Sequence, residues 1–130
     1  MAMPLTIQIQ QNFGPPNPGL VVVKLAGSLD TATAPDLESR LTGVFAGIVK
    51  DLAFDLAELK FVSSAGLRVF AVARKQLLER GGHLTFVNMQ PQIKDVFEIV
   101  ASLRGLSVFA NLAEFDEYLA ARQKMHQSGQ

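Results

Sequence analysis

DLAFDLAELKFVSSAGLRVF, residues 51–70, is the stretch whose reading decides the fold. From Asp51 to Leu56 it is a strand: Leu52, Phe54 and Leu56 share one face, and Ala53 and Ala57 lie on the other. The apolar run ends at Val62, and Ser63 and Ser64 follow side by side. A helical stripe then begins at once, with Leu67, Phe70, Ala71, Leu77 and Leu78 on one side and Arg68, Lys75 and Glu79 on the other. Gly81-Gly82 is a helix stop. A strand that turns straight into a helix is the repeating unit of an α/β layer, so the flanking sequence is expected to continue the alternation.

It does so in both directions. Upstream, Thr6–Gln10 alternates with Ile7 and Ile9 on one face, GPPNPG (14–19) is dense in turn residues, and Leu20–Leu25 is an apolar, β-branched strand. These two strands are expected to form a hairpin. A helix then starts near Thr33, which can cap, followed by Pro35 in the first turn and Asp36 at the positive end of the dipole. Leu37, Leu41, Val44 and Phe45 give it one apolar face, and Gly43 and Gly47 weaken and end it. Downstream, His83–Asn88 is a strand, and Pro91 opens a helix with Ile93, Val96, Phe97 and Val100 inward. Ser107–Phe109 is a short last strand, and Asn111 caps a final helix bearing Leu112, Phe115, Tyr118 and Leu119. The order β-β-α-β-α-β-α-β-α predicts an α/β fold: a small mixed sheet of about five strands packed with about four helices. Residues 1–121 form a single domain on this reading, and 122–130 (RQKMHQSGQ) a polar, flexible tail.

The composition narrows the function classes. The 130 residues are 48% hydrophobic, enough for a real core, and only 18% charged. Lysine plus arginine balances aspartate plus glutamate at 12 each, so no long-range attraction to nucleic acid or an anionic membrane is expected. Arg74, Lys75 and Arg80 read as a solvated helix face. Without cysteine there are no thiolate metal sites, and Asp51 with Asp55 reads as strand flanks rather than as metal ligands. No signal-like start and no long apolar span is present, so the chain is expected in the cytoplasm, with no cofactor and no membrane partner.

The double serine has three readings. Either serine can be an ordinary N-cap, accepting from an N–H two or three residues on. Ser64-Ala65-Gly66 is also half of a nucleophile elbow, which would make Ser64 a hydrolase nucleophile; Val62 stands where that motif needs its first glycine. Its base would have to be His83, at the start of a strand, or His126, in the tail. The third reading is a phosphorylation switch, because a helix N-terminus accepts an anion readily and phosphoserine adds about −1.5 to −2 charges.

KFVSSAGLRVF resembles the signature of STAS domains, in particular the bacterial anti-sigma factor antagonists, in which an apolar strand ends in Asp-Ser-x-Gly-Leu or Ser-Ser-Ala-Gly-Leu at a helix start. VVVKLAGSLDTATAPDLESRL (21–41) resembles their second strand, with Gly27-Ser28-Leu29-Asp30 as a turn into the first helix. GGHLTFVNMQPQIKDVFEI (81–99) resembles their fourth strand and third helix. The resemblance implies the STAS fold and a binding module rather than an enzyme. Its implied partners are an anti-sigma factor with serine kinase activity and a metal-dependent serine phosphatase. Phosphorylation falls on Ser64 by position, with Ser63 as second choice, and the implied partner surface comprises Ser28, Asp30, Ser63, Ser64, Gly66, Leu67 and Arg68. Gly66 is expected to let the partner backbone come close. The sequence departs from the pattern in two places: Ser63 replaces an aspartate, and Arg68 replaces a glycine of some members. The loss of the aspartate keeps open a non-switching STAS scaffold serving a larger signalling or transport complex.

Overall fold

The computed structural model describes residues 4–12 and 19–103, together with positions 117, 119, 121 and 123. Its elements are β1 (Leu5–Asn12), β2 (Leu20–Leu29), α1 (Ala34–Phe45), β3 (Asp51–Val62), α2 (Ser64–Glu79), β4 (His83–Val87) and α3 (Pro91–Leu103). The strands form one mixed sheet in the order β1-β2-β3-β4, with β1 antiparallel to β2 and the other two pairings parallel. The expected hairpin and the alternation of strands with helices are therefore present. The fifth strand expected at Ser107–Phe109, the helix start at Asn111, and Leu112, Phe115 and Tyr118 lie outside the described residues, as does the side chain of Val100. Positions 117, 119, 121 and 123 are helical.

The helices cover one face of the sheet. Val21, Val23 and Leu25 of β2 and Leu52, Phe54 and Leu56 of β3 are buried beneath them, while Gln8, Lys24 and Thr85 stand exposed on the other face. Four rings tie α2 and α3 to the sheet: Phe70 lies 4.9 Å from Phe54 and 5.2 Å from Phe86, and Phe97 lies 5.0 Å from Phe86. Tilted and edge-on pairs at these spacings add about 0.5–1.5 kcal/mol each beyond their buried area.

On α1, Leu37, Leu41 and Val44 are buried, as their spacing predicts. Thr33 occupies the cap position but makes no side-chain cap bond. Gly47 lacks the left-handed backbone of a glycine stop, and the helix closes at Ala46 with ordinary right-handed geometry. On α2 the buried stripe is Gly66, Val69, Phe70, Ala73 and Leu77. Ala71 and Leu78, expected inside, are exposed, because the stripe is centred on the Phe70–Leu77 line. The helix ends as Gly81-Gly82 requires: Gly81 has φ 74°, its N–H donates to Leu78 O, and Gly82 N–H donates to Leu77 O at 2.7 Å. Arg80 is not part of a solvated basic face. Its guanidinium lies 5.2 Å over the Phe45 ring and donates to the Phe45 and Gly47 carbonyls, neutralising the negative end of α1.

Candidate functional site

Two irregularities in β3 aim its end. Lys24 pairs with Asp55 but Ala26 with Glu58, and Gly27 pairs with Leu59 but Ser28 with Phe61, so β3 twice spends one residue more than β2. Each extra residue flips the alternation and bends the strand. The buried positions therefore run Leu52, Phe54, Leu56, Leu59, Val62 rather than strictly by twos. Val62 thereby faces the core opposite Leu29, and the next residue leaves the sheet as a helix cap.

β2 also runs on to Leu29, beyond the Leu25 end that its apolar run marks. Gly27-Ser28-Leu29 is still strand, and the turn begins at Asp30. Gly27 is required there: its φ is 103°, and a Cβ would sit 1.9 Å from Pro4 O. Past Leu29 the Asp30 carboxylate accepts from the Ala32 and Thr33 N–H groups, both at 3.0 Å. The Thr33 hydroxyl accepts from Asp30 N–H and donates to Ser28 O at 2.8 Å. Asp30 thus holds its own turn and stays half-exposed, while Ser28 is buried. Ser63 N–H donates to Leu29 O at 2.9 Å, which sets this turn beside the double serine.

The two serines differ sharply. Ser63 is the N-cap of α2 with extended backbone (φ −101°, ψ 177°), and it makes no side-chain cap bond. It is 4% exposed, and its hydroxyl has no hydrogen-bond partner. Capping, the simplest reading of the pair, is not what its side chain does. A buried, unpaired hydroxyl costs about 1–3 kcal/mol. Ser64 is the first helical residue and is half-exposed, followed by half-exposed Leu67 and exposed Arg68. Gly66 points inward: a Cβ there would lie 2.6 Å from Leu29 Cγ and 2.9 Å from Val62 Cγ2. Its missing side chain lets the helix close onto its own sheet, not a partner approach it.

Sequence reasoning missed Gln123. It falls in the stretch read as a polar tail from residue 122, yet it is helical and 1% exposed. Its side-chain oxygen accepts from Val62 N–H at 2.8 Å, and its nitrogen donates to Val62 O at 3.0 Å and Leu119 O at 3.1 Å. Among the described residues β4 pairs with β3 over Asp51–Asp55, and no strand pairs with that edge of β3 at Val62. The carboxamide replaces a neighbouring strand at the residue before the serines. The available signal was the four-residue step from Leu119 to Gln123, which puts both on one helical face.

His83 and Asp51 pair at 3.5 Å at the start of β3. The 12-residue strand separates this pair from Val62, and at ~3.3 Å per residue that is on the order of 35 Å, with Ser64 beyond it. The geometry therefore gives Ser64 no base from His83, and His126 lies outside the described residues. Asp55 bonds Ala57 N–H and the Asn88 amide. Among the described residues no three His, Asp or Glu side chains gather as a metal-holding group, and no helix is long and apolar enough to cross a membrane.

A strand-helix junction with two serines, beside an aspartate turn at the end of a mixed sheet, is the arrangement that the resemblance anticipates. The STAS domain model matches residues 14–115, and the chain belongs to the STAS domain family. Curated proteins that it resembles carry the name anti-sigma factor antagonist. The putative anti-sigma factor antagonist BtrV of Bordetella bronchiseptica is 35% identical over 81 residues, 62% of this chain and 70% of the relative. The anti-sigma-B factor antagonist of Staphylococcus aureus is 31% identical over 77 residues, 59% of this chain and 71% of the relative. In fold, the chain is similar to the unphosphorylated form of SpoIIAA of Bacillus, with a TM-score of 0.65 at 20% identity, covering 74% of this chain and 81% of that one.

Proposed function

We propose that this chain is an anti-sigma factor antagonist that binds its anti-sigma factor through the start of α2 and the Asp30 turn, and releases it when Ser64 is phosphorylated. The relatives' names support the class of partner. The observation that carries the choice of residue is the contrast in burial: Ser64 is half-exposed on the first turn of α2, whereas Ser63 is 4% exposed. A kinase must reach the hydroxyl it modifies, so Ser64 is the acceptor and Ser63 is not. In this reading the anti-sigma factor is itself the serine kinase, a metal-dependent phosphatase resets the switch, and the cycle runs in the cytoplasm.

The physics of release follows from the surface. Unmodified, Ser64, Leu67, Arg68 and Asp30 make a mixed polar and apolar patch around the helix start. A phosphoryl dianion in its middle must be desolvated when a partner covers it, at a cost of several kcal/mol. About 4 kcal/mol is a thousandfold in affinity. The domain is a binding module in this account, with chemistry done to it rather than by it. The test is site-mapped phosphorylation of the protein from its own cells, across growth and stress conditions, with Ser63→Ala and Ser64→Ala variants alongside. Phosphate that comes and goes on Ser64 is the expected result. Phosphate confined to Ser63, or absent under every condition, would remove the switch.

A further inference from the structure

Ser63 has a buried hydroxyl with no partner, at the N-cap of a 16-residue helix to which its side chain makes no cap bond. The Ala65 and Gly66 N–H groups belong to the first turn, where the helix itself supplies no acceptor. Leu67 N–H is taken by Ser63 O, so the turn is well formed and its leading amides point out of the N-terminus. These three donors belong to the residues that flank Ser64, which carries the half-exposed hydroxyl. A tetrahedral dianion with three terminal oxygens offers each of them an acceptor.

We infer that the Ser63 hydroxyl, with the Ala65 and Gly66 amides, is a built-in ligand set for the phosphoryl group on Ser64. The inference rests on the Ser64 switch and adds what holds the phosphate once it is there. The hydroxyl breaks no hydrogen bond when its χ1 turns toward the phosphate, because it has none to break. Gly66, inward-facing and without a Cβ, keeps the helix start close to Leu29 and fixes the amides in place. The phosphorylated domain therefore keeps its fold, and the phosphate is held in one position on the partner surface instead of swinging into solvent. An aspartate at position 63 would set a carboxylate against that dianion; serine sets a donor.

The test uses the full chain with phosphoserine encoded at position 64, which needs neither kinase nor partner. Phosphorus NMR reads the second dissociation of the phosphate, and proton–nitrogen NMR reads the amides. Donors favour the dianion, so the midpoint is expected below the ~6 of an unperturbed phosphoserine. Loss of one charge-assisted donor through Ser63→Ala is expected to raise it by about one pH unit, a tenfold change. Ser63→Thr, which keeps the hydroxyl, should restore the original midpoint, and it serves if the alanine variant folds poorly. The Ala65 and Gly66 amides should shift downfield with the same midpoint. An ordinary midpoint in the unsubstituted chain, or one that Ser63→Ala leaves unmoved, would overturn the inference. Partner affinity of the same phosphorylated protein is a separate readout: if it were unchanged, the release reading would fail while the ligand set stood.

Discussion

Replacing Gln123 by leucine keeps the bulk of the side chain and removes both of its bonds to Val62, made at 2.8 and 3.0 Å. The Val62 N–H and C=O stay buried at the end of β3, and no other described residue bonds them on that edge. Each stranded group costs about 1–3 kcal/mol. The third bond, to Leu119 O, lies within the helix and counts for little. A loss of about 3 kcal/mol is the central expectation. With an unfolding entropy of ~2.1 cal/mol/K per residue, a chain of 130 residues loses roughly 11 °C in Tm. Calorimetry and urea titration read the stability, and hydrogen exchange at the Val62 amide reads the site. An unchanged urea slope would place the effect in the folded state. Gln123→Glu separates hydrogen bonding from packing. Its ionised form cannot donate to Val62 O and is buried, so its folded pKa is raised. The variant should therefore be most stable at low pH and lose stability as pH rises through that folded pKa. A Gln123→Leu protein within about 2 °C of the parent, with Val62 still protected from exchange, would refute the reasoning.

Three further substitutions probe the same junction and its support. Gly66→Ala gains about 1 kcal/mol of helix propensity but drives a Cβ to 2.6 Å from Leu29 Cγ, and overpacking of that kind costs about 1–3 kcal/mol; thermal melts should show net destabilisation, with partner affinity falling as the helix start is pushed outward. Ser63→Ala removes a buried hydroxyl that bonds nothing, so Tm should hold or rise by a few degrees, where the loss of a working cap would cost about 1 kcal/mol. Arg80→Ala removes the stack on Phe45 and the bonds to the Phe45 and Gly47 carbonyls, and about 1–2 kcal/mol of destabilisation is expected in urea.

What the sequence made legible is whatever its periodicity carries. The alternation of Leu52, Phe54 and Leu56, the Leu37-Leu41-Val44 spacing and the Gly81-Gly82 stop each follow from local rules, and the fold follows from their order. The errors came where a nonlocal contact decides. β2 runs on to Leu29 because Ser28 and Leu29 pair with Phe61 and Val62 of β3, a ladder between residues far apart in sequence. The two extra residues of β3 are invisible in a run whose apolar residues still look regular. Gly66 looked like an open surface because nothing local shows that Leu29 and Val62 stand against it. Gln123 looked like tail because a polar side chain bonded to a distant backbone carries no pattern of its own. The difference in burial between Ser63 and Ser64 was hidden for the same reason: two adjacent identical residues carry no local pattern that separates them.

The most direct test is calorimetric affinity of the anti-sigma factor for the unmodified chain and for the chain carrying phosphoserine at position 64, in the same buffer. The account expects tight binding by the first and a loss of about a thousandfold by the second. Equal affinities would contradict it.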